Sequence, residues 1–496
     1  MKKILACLFA FVALNSITSF AQQWESKWVK QNKEGKLQYI PDEKGNIIPD
    51  FSQVGYFHGN AVIPNVPVAI KISPSDDAQN AIQSAIDLLS KKPLGNDGFR
   101  GKILLSKGMY KIPDIIKINA SGIVLCGEGD ETKLIATGTV QRSMISFSGN
   151  GNLKETPGTK VKIMDEYIPV GTKSFTVSSV NGLKAGDNII VFRPGTDAWI
   201  KDLKMDQIDA RDGTKQWQAN EYNFQFERTI TNIEGNKIYI DNPVVLAMET
   251  KYGGGEIYKY TFERISKVGI ENLYCESEFL SDTAENHGWV AVEFNKAENG
   301  WVRNITARYF GNSCVHLGTW AKNFSVLNSN CFDAKSVITG SRRYSFANDG
   351  QQNLFINCHS TEGRHDYVTG ARVAGPNVFY NCTATKTHAD IGPHHRWSMG
   401  TLYDNIITDG EINIQDRGNW GSGHGWSGVN QVLWNCTAKK VAAQNPWISG
   451  RNYIIGLQGE KYEGRLKGRP DGDWEGQNKK GLQPISLYMA QIKDRQ

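Results

Sequence analysis

No two cysteines in this chain are spaced as Cys-x-x-Cys, so zinc-ribbon and thioredoxin-type readings fail at the outset. The chain has eight cysteines, and Cys7 lies in a segment that reads as a cleaved leader. The seven left are an odd number, which argues against a complete disulfide framework. Beyond the first 21 residues no apolar run is long enough to cross a bilayer. Net charge is also slight: +5, falling to +3 once Lys2 and Lys3 are removed. That balance excludes a general nucleic-acid binder and leaves room for a local basic groove. Histidine is scarce, with nine in 496 residues, so any gathering of histidines stands out.

Glycine (50) and tryptophan (13) are plentiful, a mix that favours strands, tight turns and carbohydrate-type aromatic contacts over helical bundles. Lys2-Lys3, the apolar run ILACLFAFVAL and Ser19-Phe20-Ala21 make residues 1–21 a signal peptide. The expected product is secreted or periplasmic and monomeric, with no membrane span.

A repeat organises the second half. IENLYCESE, WVRNITARY, SVLNSNCFD, LFINCHSTE, VFYNCTATK, LYDNIITDG and VLWNCTAKK are alternating apolar runs that end near Asn-Cys or Asn-Ile. Their equivalent positions, Cys275, Ile305, Cys331, Cys358, Cys382, Ile406 and Cys436, recur at intervals of 24 to 30 residues. Such a period fits one turn of a coil of short strands, stacked in parallel on its neighbours around a continuous core. Reduced cysteine serves there as a small buried hydrophobe, and each preceding Asn can hydrogen-bond to the Asn above and below. Variable turn length predicts an all-β, right-handed parallel β-helix with loops of different size on one side.

The front half predicts the flanking parts. PSDDAQNAIQSAIDLLSKK (74–92) is a helix capped by Ser75 or Asp76, with Ile82, Ile86 and Leu89 on one face. It covers an open coil end that would otherwise invite edge pairing. Residues 22–100 are therefore an N-terminal arm and capping helix, and 101–149 the first turns. Residues 150–255 form an inserted antiparallel β subdomain that overhangs one face; 256–451 are the coil core, and 452–496 a tail that wraps the surface. DFSQVGYFHGN, DDAQNAIQSAID, GKILLSKGMYKI and SGIVLCGEG, in that order, resemble the opening of pectate-lyase-like parallel β-helix proteins. The resemblance covers most of the chain apart from the insert. With the leader and the Gly/Trp-rich style, it implies a polysaccharide lyase of a glycan-foraging bacterium. The calcium-binding aspartate pattern of pectate lyases is not evident.

The segment ADIGPHHRWSMG (389–400) concentrates the chemistry. In stacked turns, equivalent residues lie roughly 5 Å apart. Arg342, Arg343 and Tyr344, then Arg372, then His394, His395, Arg396 and Trp397, then Arg417 and Arg451 leave corresponding corners. This pattern predicts a basic stripe suited to the carboxylates of an acidic polysaccharide, with Trp397 stacked on a sugar. Elimination across a uronic acid needs a charge neutraliser, a base and an acid. His395 and His365 are the first candidates for proton transfer, followed by His388 and Tyr344. Arg396, Arg372 and Arg343 would hold the carboxylate, with Arg342, Arg364, His394 and Arg417 also on the substrate. Asp366 and Asp390 would orient histidines or bind a cation such as calcium. His58, His287, His316, His359 and His424 read as structural, and GNWGSGHGWSG (418–428) as a flexible loop and candidate lid. Two competing functions are a glycoside hydrolase using Asp366 and Asp390, with Asp404 or Asp416, and a non-catalytic glycan-binding β-helix.

Overall fold

The computed structural model describes residues 22–496, so the leader expected at 1–21 lies outside the described residues. Parallel pairing carries the architecture. Short strands stack rung on rung into one sheet system of 28 strands, with Val68–Ile72 at one end and Asp473–Glu475 at the other. Register is kept over many rungs: Phe346 faces Tyr367, and Phe355 faces Phe379, which faces Tyr403. Inward-pointing residues therefore stack on their own kind. The Phe355–Phe379 rings are 4.7 Å apart and the Phe346–Tyr367 rings 5.6 Å apart, both nearly parallel. The fold is a right-handed parallel β-helix.

The corners follow from asparagine. Asn272, Asn304, Asn328, Asn357, Asn381, Asn405 and Asn435 all adopt left-handed backbone, with φ between 47° and 57°. Asparagine tolerates that region better than other side-chain-bearing residues. Asn304 donates to Asn272 Oδ1 at 2.9 Å, Asn357 to Asn328 at 3.1 Å, Asn381 to Asn357 at 2.7 Å and Asn435 to Asn405 at 2.9 Å. The single cysteine ladder expected from the sequence is in fact two. Cys358, Cys382, Ile406 and Cys436 directly follow their asparagines. Cys275 and Cys331 sit two residues later, in register with Ala307. The runs Asn272-Leu-Tyr-Cys275 and Asn328-Ser-Asn-Cys331 hide this offset, because cysteine is acceptable at either inward position. All seven described cysteines are free and buried.

Helix α1 (Ala78–Ser90) lays Ala78, Ile82, Ala85, Ile86 and Leu89 onto the coil core. Its N-cap is Asp77 rather than Ser75 or Asp76. Residues after 452 do more than wrap the surface. Tyr453–Ile455 and Asp473–Glu475 extend the coil by pairing rung on rung above Val432–Trp434. Only then does the chain run outside to end in helix α3 (Leu487–Arg495), after the short α2 (Asp197–Asp202) of the insert. The N-terminal arm and α3 cover an outer coil face together: Val29, Ile48, Phe51 and Val54 pack with Leu354, Val378, Leu402, Trp434 and Leu487.

The insert is antiparallel: Asn188–Arg193 pairs with both Phe224–Glu234 and Glu256–Thr261. Its core is shared with the coil, since Trp397, Met399, Trp426 and Val429 pack among Trp199, Trp217 and Phe224. A buried charge network joins the two. Glu227, 1% exposed, binds Arg264 in a two-pronged contact, accepts from Tyr260 at 2.6 Å and lies 3.4 Å from Lys322. Burial alone would raise its pKa, but the charges of Arg264 and Lys322 override this and hold it at about 2. Beside it Arg228 donates to the carbonyl oxygens of Pro243 and Gly375. Glu227→Gln would leave two buried cations underpaired, and should lower unfolding free energy by about 3 kcal/mol or more. A chemical denaturation curve checks this; a loss below about 1 kcal/mol would show that the network does not hold the insert.

Candidate active site

Stacking brings one corner of successive rungs together under the insert. The backbone N–H groups of Arg364 and His365 both donate to Arg343 O, Arg372 donates to Arg396 O, and Arg396 donates to His424 O. A cleft of about 780 Å³ opens there, lined by Tyr344, Arg364, His365, Asp390, His394, His395, Arg417, Trp420 and His424, with Arg211 reaching over from the insert.

Four imidazoles meet in this cleft. The His394 ring lies 4.5 Å from His365, 5.1 Å from His395 and 5.1 Å from His424, and His395 lies 4.9 Å from His424. Each has a buried ring nitrogen without a protein partner: His365 Nε2, and Nδ1 of His394, His395 and His424. Burial, the neighbouring arginines and the other imidazoles disfavour protonation. The pKa values fall to about 4 for His365 and His395 and about 3 for His424, and His394 is well below its usual value. All four are neutral at neutral pH. The Tyr344 phenol lies on this cluster, with Oη 3.2 Å from His394 Nε2 and its ring 5.2 Å from that of His365. Burial raises its pKa by more than the charge and hydrogen bond of Arg364 lower it, so it is protonated.

The predicted site residues divide into two groups. Tyr344, Arg364, His365, His394, His395 and Arg417 come together in the cleft with Asp390. The others point elsewhere. Trp397, fully buried, stands edge-on to Trp199 at 5.0 Å inside the insert's core and is no sugar platform. Arg343 is buried and donates to Ser336 O, on the side of a separate depression. Arg342 is paired with Glu285, and His388 with Glu362 at 2.8 Å. Arg396 ties Ser422 O to Glu221. Arg372 lies over the Tyr222 ring in an adjoining depression. The continuous basic stripe is thus largely cancelled, since Arg417 is bound to Asp390, and Arg451 to Asp42, Glu43 and Asp473. Among the described residues Arg211, Arg364 and Arg372 face the groove with no carboxylate partner.

The aspartates do not form a pair. Asp366 is fully buried beneath the corner, accepting from Ser345 Oγ at 2.8 Å, and burial raises its pKa to about 6. Asp390 is held below the carboxylate range because Arg417 outweighs its burial. Asp404 accepts from Ser486 and the Tyr488 N–H at the start of α3, and Asp416 binds Arg469. The carboxylates named for hydrolysis are therefore committed elsewhere, and no group of three or more His, Cys, Asp or Glu among the described residues is arranged to hold a metal.

Sequence reasoning missed His424, read as structural, and Trp420, both on the glycine-rich loop. That loop is not a free lid. Lys215 N donates to Ser422 O, and Trp217 Nε1 to Gly423 O, so the insert clasps it. Gly423, at φ 90°, leaves no room for a side chain: a Cβ would lie 2.5 Å from Lys215 O. Only the Gly-His-Gly spacing hinted that His424 would be presented by tight turns. His316 was also read as structural; it lines the adjoining depression, 3.0 Å from Asp349.

No family model and no curated protein matches the chain. Solved structures do. A protein of Geobacillus virus E2 (ORF18) aligns with a TM-score of 0.41 and 14% identity over 81% of this chain, which spans 57% of the phage protein. An alginate lyase from Paenibacillus sp. aligns at 0.39 and 9% identity, covering 83% of this chain and all of that one. Pectate lyase Pel9A aligns at 0.38 and 10%, over 84% and 82%. At these identities and scores the matches add nothing to the parallel β-helix already described from its strand pairing.

The histidine cluster makes stability depend on pH. In the unfolded chain a histidine takes up a proton near pH 6.5; in the fold these do so only near 4 or below. Unfolding therefore binds protons in that window, so stability is complete above about pH 6.5 and falls as pH drops toward 4. The thermal midpoint should decline through this window, and His424→Gln should shallow the decline. An equal slope in that variant would refute the depressed pKa.

Proposed function

We propose that the protein is a secreted polysaccharide lyase that cleaves a uronic-acid-containing acidic polysaccharide by β-elimination at Tyr344 and His395. The observation carrying this reading is the half-exposed Tyr344 phenol, hydrogen-bonded to neutral His394 and set beside Arg364, a cation with no carboxylate partner. Elimination needs these three functions side by side. Arg364 takes the substrate carboxylate, which makes the C5 proton more acidic. His395, neutral and half-exposed where two depressions meet, accepts that proton. The electron pair forms the C4=C5 bond as the C4–O bond breaks. Tyr344, protonated, gives its proton to the leaving oxygen. The proton that His395 took from C5 then passes, through neighbouring His394 or through solvent, to the phenolate, which returns both groups to their starting states. Buried His365 supports the Tyr344 ring from below and is a positioning residue.

A low base pKa places the acid limb of kcat/KM near pH 4 rather than near 6.5. His395→Ala and Tyr344→Phe should each reduce turnover by about 10² or more. Arg364→Ala should cut activity on uronic polymers by a similar factor through lost charge stabilisation. The decisive assay follows ultraviolet absorbance of the new double bond conjugated to the carboxyl group, over a panel of acidic polysaccharides. Reducing ends appearing without that absorbance would mean hydrolysis, and saturable binding without turnover would mean a glycan-binding role.

A further inference from the structure

The cleft is one part of a longer groove. A second depression, of about 390 Å³, shares Ser341, Tyr344, His394 and His395 with it. A third, of about 210 Å³, shares Thr319, Asp349, Ala371 and Arg372 with the second. The reacting groups thus lie partway along the groove, with walls on both sides for a chain that passes through. Both outer arms carry a partly exposed tryptophan. Trp420 lies in the first, beside the Arg417 and Arg465 guanidinium groups; Trp320 lies in the third, held edge-on to Phe262 at 5.4 Å.

The two arms differ in charge. In the first, Arg211 and Arg364 are unpaired and Arg417 is neutralised by Asp390, leaving two net positive charges. In the other direction Glu221 is paired with Arg396 and Asp349 with His316, and with Arg372 beside them the charges of this arm balance; its other polar lining groups are amides and a hydroxyl, beside Phe224 and Trp320. A uronate would be drawn into the first arm in preference to the second, since the first offers unpaired cations and the second a balanced set of charges. An uncharged sugar suits the second arm, where amide side chains meet its hydroxyls and an indole its apolar face.

We propose that the groove takes a heteropolymer in which uronate and uncharged sugar alternate, and cuts it internally, with the uronate in the Arg211–Arg364 arm and the uncharged sugar in the Trp320 arm. This rests on the elimination reading above. The uronate loses its C5 proton and its C4–O bond and becomes the unsaturated, non-reducing end of one fragment. The oxygen leaves with the uncharged sugar, which becomes the reducing end of the other.

The test digests hyaluronan, unsulfated chondroitin, a rhamnose–glucuronate polymer and a rhamnose–galacturonate polymer beside polygalacturonate and polymannuronate, and reads the products by mass and reducing-end labelling. The expected result is that at least one alternating polymer is cut about tenfold or more faster than both homopolymers. Its products should be even-numbered, with the uncharged sugar at the reducing end and intermediate sizes early in digestion. The double variant Glu221→Gln/Asp349→Asn should shift preference toward the homopolymers by about tenfold, the equivalent of about 1.4 kcal/mol. A homopolymer as best substrate, no cut in any alternating polymer, or an unchanged preference in the double variant overturns the proposal. Saturated products with an uncharged reducing end would leave the groove assignment standing and remove elimination instead.

Discussion

The hydrogen-bond ladder between rungs is the constraint on which everything else here depends. Each short strand is too small to bury anything alone, but in parallel register it places residue above residue for the length of the coil. The histidine cleft depends on that register. His365, Asp390 and Arg417 come from three successive turns, yet His365 Nδ1 lies 2.7 Å from Asp390 O and the Asp390 carboxylate is bound by Arg417. Nothing local in the chain joins these three. A slip of one residue in any rung would invert every side chain in it and dissolve the cluster. The asparagine corners prevent the slip, because left-handed backbone and the ladder's side-chain hydrogen bonds must coincide at the same position in each turn.

Stacking also explains the electrostatics. Four histidines share one corner, and protonating one of them places charge against three imidazoles and Arg417 in a buried setting. Desolvation and this mutual repulsion act in the same direction, so the cluster stays neutral as a unit. Neutral imidazole can accept a proton or a hydrogen bond, and that gives the Tyr344 phenol an uncharged partner. Arg364 stays available in the cleft because no carboxylate among the described residues pairs with it.

Repetition was legible in the sequence, and so was the coil. The asparagines announce the corners, and their spacing counts the turns; Tyr344, His365 and His394–His395 could be aligned from that count. What repetition cannot convey is which way a side chain leaves a corner. Trp397 and Arg396 follow His395 directly, but both have positive φ, and the chain turns there so that the indole enters the insert's core while the imidazole faces the groove. Arg343, likewise at positive φ, is turned away from Tyr344. The paired arginines were hidden for another reason. Glu285, Asp42 and Glu43 lie far away in sequence, and only the folded chain shows that they cancel Arg342 and Arg451.

The insert completes the site, and it does so at an energetic cost the coil must offset. A bare coil flank would present Tyr344 and His395 to open water, where a guanidinium–carboxylate contact is weak. The segment carrying Arg211, Trp217, Glu221 and Tyr222 rises over that flank and turns it into a walled groove. Holding it there requires burying Glu227 with three polar partners, and burial of ions is unfavourable unless every one of them is matched. Here they are matched by residues from both bodies, Tyr260 and Arg264 at the edge of the insert and Lys322 on the coil. The same residues dock the wall and reach the groove itself, since Arg264 donates to Trp320 O and the Glu227 N–H to Gln351, so the ion network that holds the insert also sets the position of the groove's far arm.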